Sequence, residues 1–266
     1  MLACMQRLCY DVFMKVFVIS NQKGGIGKST TAHALGAYSA LKAGKRTLFI
    51  DLDAQGNLSQ SLGLKPSTPS SYDILMKPSY IKGSIVQGNT LGISAIPSSP
   101  LLARATLDLI EVGKEYRLNE ALSTVKDDYD VVVVDTPPAL SILTINALTA
   151  ADSLIIPVQA DLFSIEAVKE MVGTIASVRK YTNNNLKIEG LLLCRFQGRS
   201  ILSRNCADSF EVLAGNLGTK LFKTKIRESI AIKEAQALSQ DIFSYAPKSN
   251  GAKDYESFCK EIFLDD

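Results

Sequence analysis

The apolar run Val16-Phe17-Val18-Ile19 leads straight into the loop Ser20-Asn21-Gln22-Lys23-Gly24-Gly25-Ile26-Gly27, and a segment of helical character opens at Lys28. So short and uninterrupted an apolar run suits a strand buried on both faces of a parallel sheet. Gly24, Gly25 and Gly27 lift the Cβ barrier to positive φ, which lets backbone amides converge on an anion. The helix that follows adds the partial positive charge of its first turn. Strand, glycine loop and helix in this order restrict the chain to an α/β architecture with a phosphate-binding site at a strand end.

Residues Gly24, Gly25, Ile26, Gly27, Lys28, Ser29 and Thr30 are therefore the expected nucleotide-binding set. Lys28 is expected to neutralise β- and γ-phosphate charge, and Ser29 to offer its hydroxyl to Mg²⁺. The match to G-x-x-x-x-G-K-[ST] fails at one position, where Gln22 replaces the first glycine. Lys23 is a second lysine for which this local scheme has no use.

The rest of the chain repeats the alternation. A helix over about 28–43, stopped by Gly44, leads to a second buried strand, Thr47-Leu48-Phe49-Ile50, that ends in Asp51-Leu52-Asp53. Further strands are expected over 91–96, 131–134, 153–158 and 188–194, and helices over about 101–125, 165–181, 201–217, 230–239 and 253–263. This pattern predicts a single-domain α/β fold with a mostly parallel sheet and helices on both faces. With 266 residues, 46% of them hydrophobic, the chain can fill one such core. Residues 1–14 are expected to be an N-terminal extension to a domain spanning 15–266. Either translation starts at Met14 or the segment is a short extra strand or arm. Five cysteines, Cys4, Cys9, Cys194, Cys206 and Cys259, are odd in number and lack metal-ligand spacing, which suits a reduced cytoplasmic protein.

KGGIGKST, residues 23–30, resembles the deviant Walker A motif of the ParA/MinD family of P-loop ATPases. IDLDAQGNLSQSLG, residues 50–63, is similar to the family's second motif, and VVVVDTPP, residues 131–138, to its Walker B segment. At lower specificity the resemblance extends over residues 15–262. It implies a P-loop NTPase fold, ATP and Mg²⁺ as cofactors, and a weak intrinsic ATPase activity that a partner stimulates. It also implies that Lys23 reaches across a dimer interface to the nucleotide of the other subunit, somewhat as an arginine finger does. Lys23, Lys28 and Asp53 are then the expected catalytic residues, with Asp53 at the position that orients the attacking water. Asp135, at the carboxyl end of a buried strand, is expected to hold Mg²⁺ through water together with Ser29. Asp51 is expected either to join the Mg²⁺ shell or to hold the loop. His33, one turn into the first helix, is expected to be structural.

Between Lys187 and Lys233 nine basic residues stand against four acidic ones, in a chain of net charge +2. Any one of them is accounted for by a solvated helix face, but the cluster as a whole suits nonspecific double-stranded DNA. FQGRSILSR, residues 196–204, resembles the ParA segment in which an arginine contacts nucleoid DNA, and Arg199 occupies that position. A second family segment appears here as IRESIAIK, residues 226–233, with Ala231 in place of a later arginine and Glu228 among the cations. Arg227 and Lys233 are the expected compensating DNA contacts. The resemblance thus implies a ParA/Soj-type partitioning ATPase that forms an ATP-dependent homodimer on the nucleoid and answers to a ParB-like activator. The alternative is a MinD-like ATPase that positions membrane or protein cargo through a C-terminal amphipathic helix. Here the tail ends in Asp265-Asp266, which an anionic bilayer repels, so Tyr255, Phe258, Ile262 and Phe263 are expected to pack on the sheet with no membrane partner. A small-molecule ligase on the same loop is a third reading, weakened by the lack of an evident substrate domain.

Overall fold

The computed structural model describes residues 14–65, 68–89, 93–198 and 201–263. Its strands are β1 (Lys15–Ile19), β2 (Thr47–Asp51), β3 (Val86–Gln87), β4 (Ile93–Ile96), β5 (Val131–Asp135), β6 (Ser153–Val158) and β7 (Lys187–Leu193). They form one seven-stranded sheet in the order β3-β4-β2-β5-β1-β6-β7. Only the β3–β4 pair is antiparallel. The helices are α1 (Lys28–Leu41), α2 (Asn57–Ser61), α3 (Ser71–Met76), α4 (Ile81–Ser84), α5 (Ala105–Asp108), α6 (Arg117–Ser123), α7 (Ile142–Ala150), α8 (Leu162–Tyr181), α9 (Ile201–Asn216), α10 (Ile230–Ala237), α11 (Ile242–Tyr245) and α12 (Asn250–Phe263).

Strand alternation divides the core between the two sheet faces. Val16, Val18, Leu48, Ile50, Val132 and Val134 point to one face and pack with residues of α6, α7, α8 and α9. Phe17, Ile19, Phe49, Val131 and Val133 point to the other and pack with α1, α10, α11 and α12. Helices on both sides of every central strand explain why those strands read as continuous apolar runs rather than alternating ones.

The structure departs from the sequence expectation in several segments, among them α2, α3, α4, β3 and α11, none of which was expected. The helix expected over 101–125 is broken into 3₁₀ turns at Pro100–Arg104 and Lys114–Tyr116 and the short helices α5 and α6. Gly113, at φ 81°, ends any continuous run there. Helix α7 occupies a stretch with no predicted element. In α12, which starts at Asn250, three residues before the expected helix, Tyr255, Phe258 and Ile262 are buried, so the apolar stripe of the C-terminal helix is absorbed by the core. No helix among the described residues is long and apolar enough to cross a membrane. Residues 1–13 lie outside the described residues.

Candidate functional site

Because β1, β2, β5, β6 and β7 run parallel, the loops that leave their carboxyl ends meet along one edge of the sheet. The glycine loop after β1 is braced from within. The buried Asn21 donates its amide to the Pro157 carbonyl (2.7 Å), and its Oδ1 accepts from the Lys23 backbone N–H (3.0 Å). Gly25 and Gly27 take φ values of 72° and 98°, a region that costs a residue with a Cβ about 1 kcal/mol or more. Helix α1 opens directly after Gly27 with no acidic side chain in its first turn, so its amides and dipole are left for an anion. Lys28 is nearly buried, and its Nζ donates back across the loop to the Lys23 carbonyl (2.9 Å). Burial lowers its pKa, while Asp135 and Asp53 act to raise it.

Three carboxylates sit beside this loop and do different work. Asp51 and Asp135 are register partners on β2 and β5. Asp135 is fully buried, and neither of its carboxylate oxygens has a hydrogen-bond partner within ordinary distance. Burial first and the charge of Asp51 second push its pKa well up, against the pull of the nearby Ser29 hydroxyl and Lys28 ammonium. A buried carboxylate with two orphaned oxygens matches what a hard divalent cation needs, so Asp135 with Ser29 fits Mg²⁺. Asp51 differs: its Oδ1 accepts from Asp53 N (3.1 Å), and its Oδ2 from Ser59 N (2.8 Å) and Ser59 Oγ (2.7 Å). These three hydrogen bonds hold the loop after β2, one of the two roles expected of Asp51. Burial is the main reason its pKa rises to about 6. Asp53 lines the cavity, with Oδ1 accepting from Gln55 N (3.0 Å) and its carbonyl accepting from Ser98 Oγ.

The cavity holds about 560 Å³, enough for a mononucleotide, and runs from the glycine loop to the opposite wall formed by the segment before α10 and α10 itself. Gln236 on that wall donates to Thr30 Oγ1 (2.9 Å). Arg227 and Lys233 line it too. Their side chains are also 49% and 62% exposed. The Arg227 guanidinium is held in a two-point pair with Asp254 (2.9 and 2.6 Å), and Lys233 reaches Glu228 (3.0 Å). Arg199 lies outside the described residues. Lys23 extends away from its own phosphate-binding pocket: its Nζ pairs with Asp161 Oδ2 (2.6 Å) and approaches Ser164 Oγ (3.3 Å).

Residues 14–188 match the family described as an AAA domain. The chain is 37% identical over 251 residues to the sporulation initiation inhibitor protein Soj of Bacillus subtilis, covering 93% of this chain and 98% of that protein. It is also 37% identical over 253 residues to the chromosome-partitioning ATPase Soj of Treponema pallidum, covering 95% and 98%. The chain belongs to the ParA/Soj family of partitioning ATPases. The fold is also similar to a crystal structure of cobyrinic acid a,c-diamide synthase from Mycobacterium smegmatis with a bound ATP analogue and magnesium. That match has a TM-score of 0.79 and 32% identity, and covers 93% of each chain.

For a ParA/Soj protein, the parts of this site that sequence reasoning missed are long-range partners. Asp161 caps α8 by accepting from Ser164 N (2.8 Å) while it holds Lys23. Asp254 fixes Arg227 from α12. Nothing local to Lys23 or Arg227 signals either partner. The signal for Asp161 was a generic one, a capping residue before an apolar helix.

His33 on α1 is structural, as expected: fully buried, with Nε2 lacking a partner and the ring edge-on to Phe49. Burial, opposed by the Asp241 charge, lowers its pKa to about 4. Between pH 6.5 and 4 the unfolded chain accepts a proton that the native imidazole refuses, so its contribution is present at neutral pH and lost on acidification. Asp51, with its pKa raised, acts in the opposite sense over an overlapping range. The two are separated by a difference measurement. The stability of the wild type relative to His33→Gln should fall by about 3 kcal/mol from pH 7 to pH 4 in urea melts. A flat difference would mean that the imidazole ionises freely in the native state.

Proposed function

We propose that the chain is an ATP-dependent dimerising ATPase for chromosome or plasmid partitioning, which binds nonspecific double-stranded DNA as an ATP-bound homodimer and whose hydrolysis a ParB-like partner stimulates. The observation that carries the nucleotide part is the orphaned Asp135 carboxylate beside Ser29, Lys28 and a cavity of about 560 Å³. Mg²⁺ bound there would neutralise charge on the β- and γ-phosphates. Lys28 and the amides of Gly24, Gly25 and Gly27 would hold the phosphate chain, and Asp53 would orient the attacking water. The one glutamate among the described cavity-lining residues, Glu228, is paired with Arg195 and Lys233, so the barrier falls mainly through positioning and charge, which suits slow intrinsic turnover.

Two features support pairing of subunits along this edge. Lys23 faces outward from its own pocket, and large apolar side chains are exposed in segments that leave the same strand ends: Leu140 after β5, Leu162 and Phe163 after β6, and Ile201 after β7. Exposed apolar side chains gathered on the ligand-bearing edge fit a face that a second copy covers. Support for DNA comes from the basic segment 187–233, in which Arg227 and Lys233 also line the cavity. Arg199, Arg204, Lys220 and Lys225 form the proposed phosphate-contacting set.

The test is retention of random-sequence duplex DNA at about 100 mM salt, without nucleotide, with ADP and with ATP, scored together with dimerisation. Retention only with ATP, lost in Arg199→Ala and unaffected in Arg227→Lys, is the expected result. ATP-driven dimerisation with no DNA retention overturns the DNA part and turns the search to protein cargo.

A further inference from the structure

The cations on the cavity wall fall into two kinds. Arg227 is locked: both its side chain and its backbone N–H bind Asp254, a carboxylate only 11% exposed, from α12. Arg195 and Lys233 are not locked. Both reach the same oxygen, Glu228 Oε1, at 3.1 and 3.0 Å, through side chains 48% and 62% exposed. One carboxylate oxygen shared by two solvated cations makes a weak, readily exchanged network that leaves the trio with net positive charge. Arg195 also places Nη1 3.4 Å from the Gly25 carbonyl in the phosphate-binding loop, so its guanidinium already stands against that loop.

The backbone at Arg195 is strained toward this position. Its φ is 53°, a left-handed conformation rare for a residue with a long side chain. Hydrogen bonds on either side enforce it: Cys194 N donates to the Val158 carbonyl (2.8 Å), and Phe196 N to the Ile226 carbonyl (2.9 Å). The flanking residues are thus tied to β6 and to the segment before α10, and the chain between them must turn. Glycine would make that turn without strain. An arginine there, with its guanidinium at the glycine loop, is the kind of strain that gathers at ligand clamps.

We infer that Arg195 and Lys233 form a clamp for the nucleotide's phosphate chain, and that Glu228 is the internal anion that occupies the clamp until nucleotide displaces it. A triphosphate carries several times the charge of one carboxylate and offers many acceptor oxygens, so it outcompetes Glu228 for a forked guanidinium. Glu228 thereby lowers affinity while keeping two cations apart from other anions in the empty pocket. The clamp concerns the nucleotide site alone and stands or falls independently of DNA binding.

The test is equilibrium titration of Arg195→Gly and Glu228→Gln with a fluorescent, non-hydrolysable ATP analogue at low and high salt, alongside thermal melting of the nucleotide-free proteins. Arg195→Gly removes the guanidinium and relieves the strained φ. It should weaken binding about tenfold and flatten the salt dependence, while the melting temperature of the free protein stays the same or rises. Glu228→Gln removes the competing anion and should tighten binding about threefold. A merely structural Arg195 predicts a lower melting temperature on replacement, and that outcome overturns the clamp. Unchanged affinity in either variant overturns it equally.

Discussion

Replacing Asp53 with alanine is expected to lower ATP turnover by at least about 100-fold, in the range lost when a positioned acid–base or water-orienting group is removed, while nucleotide affinity and ATP-dependent dimerisation persist. The asymmetry follows from how the loop after β2 is built. That loop does not depend on the Asp53 side chain. It is held by Asp51, which accepts from Asp53 N and from both Ser59 donors, and by Ser98, whose hydroxyl binds the Asp53 carbonyl. Alanine at position 53 releases only the Gln55 amide, at a solvent-facing turn. Lys28 and the glycine loop lie on a different strand connection, and of the two carboxylates that support the Lys28 charge Asp135, the larger contributor, remains. Asp51→Ala gives the contrast, because it strands three donors in the core and should cost about 3 kcal/mol of stability. Single-turnover hydrolysis, nucleotide titration and a melt on both variants separate the two cases. Normal turnover in Asp53→Ala would reassign the water-orienting role to another group on the cavity wall.

The contrast between these two aspartates also marks how far the sequence alone reaches. The strand, glycine loop and helix from Lys15 to Leu41 were legible because each piece is a local pattern: an apolar run, three glycines and a helix that Gly44 stops. Strand β5 and Asp135 at its end were legible for the same reason. Helix α7 was not, because it is buried on nearly every side. Ile142, Leu143, Thr144, Asn146, Ala147, Leu148, Thr149 and Ala150 all lie inside, and a helix without a solvated face shows no 3.6-residue period to read. The hydrogen-bond partners that distinguish Asp51 from Asp135 were likewise invisible. Both end buried strands, and what separates them is Ser59, which α2 brings under Asp51 and not under Asp135. The cations of residues 187–233 looked like one surface in sequence. In the fold Asp254 and Glu228 hold Arg227, Arg195 and Lys233 at the cavity wall with their side chains still about half exposed or more.

Lys23 carries the second large prediction, because the structure gives it a competing partner within its own chain. Lys23 and Asp161 are separated by 138 residues, and their contact is 2.6 Å between side chains 27% and 31% exposed. Burial would raise the Asp161 carboxyl, but Lys23 and the Ser164 amide outweigh it and hold it below the ordinary carboxylate range. Any action of Lys23 on a nucleotide in a second subunit therefore requires this pair to break or to be shared. Lys23→Ala should weaken ATP-dependent dimerisation about 100-fold, as expected when a desolvated interface charge is removed, and lower turnover about 1,000-fold, as for loss of an arginine finger. Asp161→Asn is the informative partner variant, because asparagine caps a helix as well as aspartate does and so keeps α8 intact while it removes the ion pair. Freed from a partly exposed pair worth about 1 kcal/mol, Lys23 should be available more often, and dimerisation with ATP should tighten about fivefold. Sedimentation of both variants with a non-hydrolysable ATP analogue reads the two effects directly. Tightening in Asp161→Asn together with loss in Lys23→Ala means that the cis pair holds the lysine back. Loss in Lys23→Ala without tightening in Asp161→Asn means that Asp161 moves with the lysine into the interface, and normal dimerisation of Lys23→Ala removes the trans role altogether.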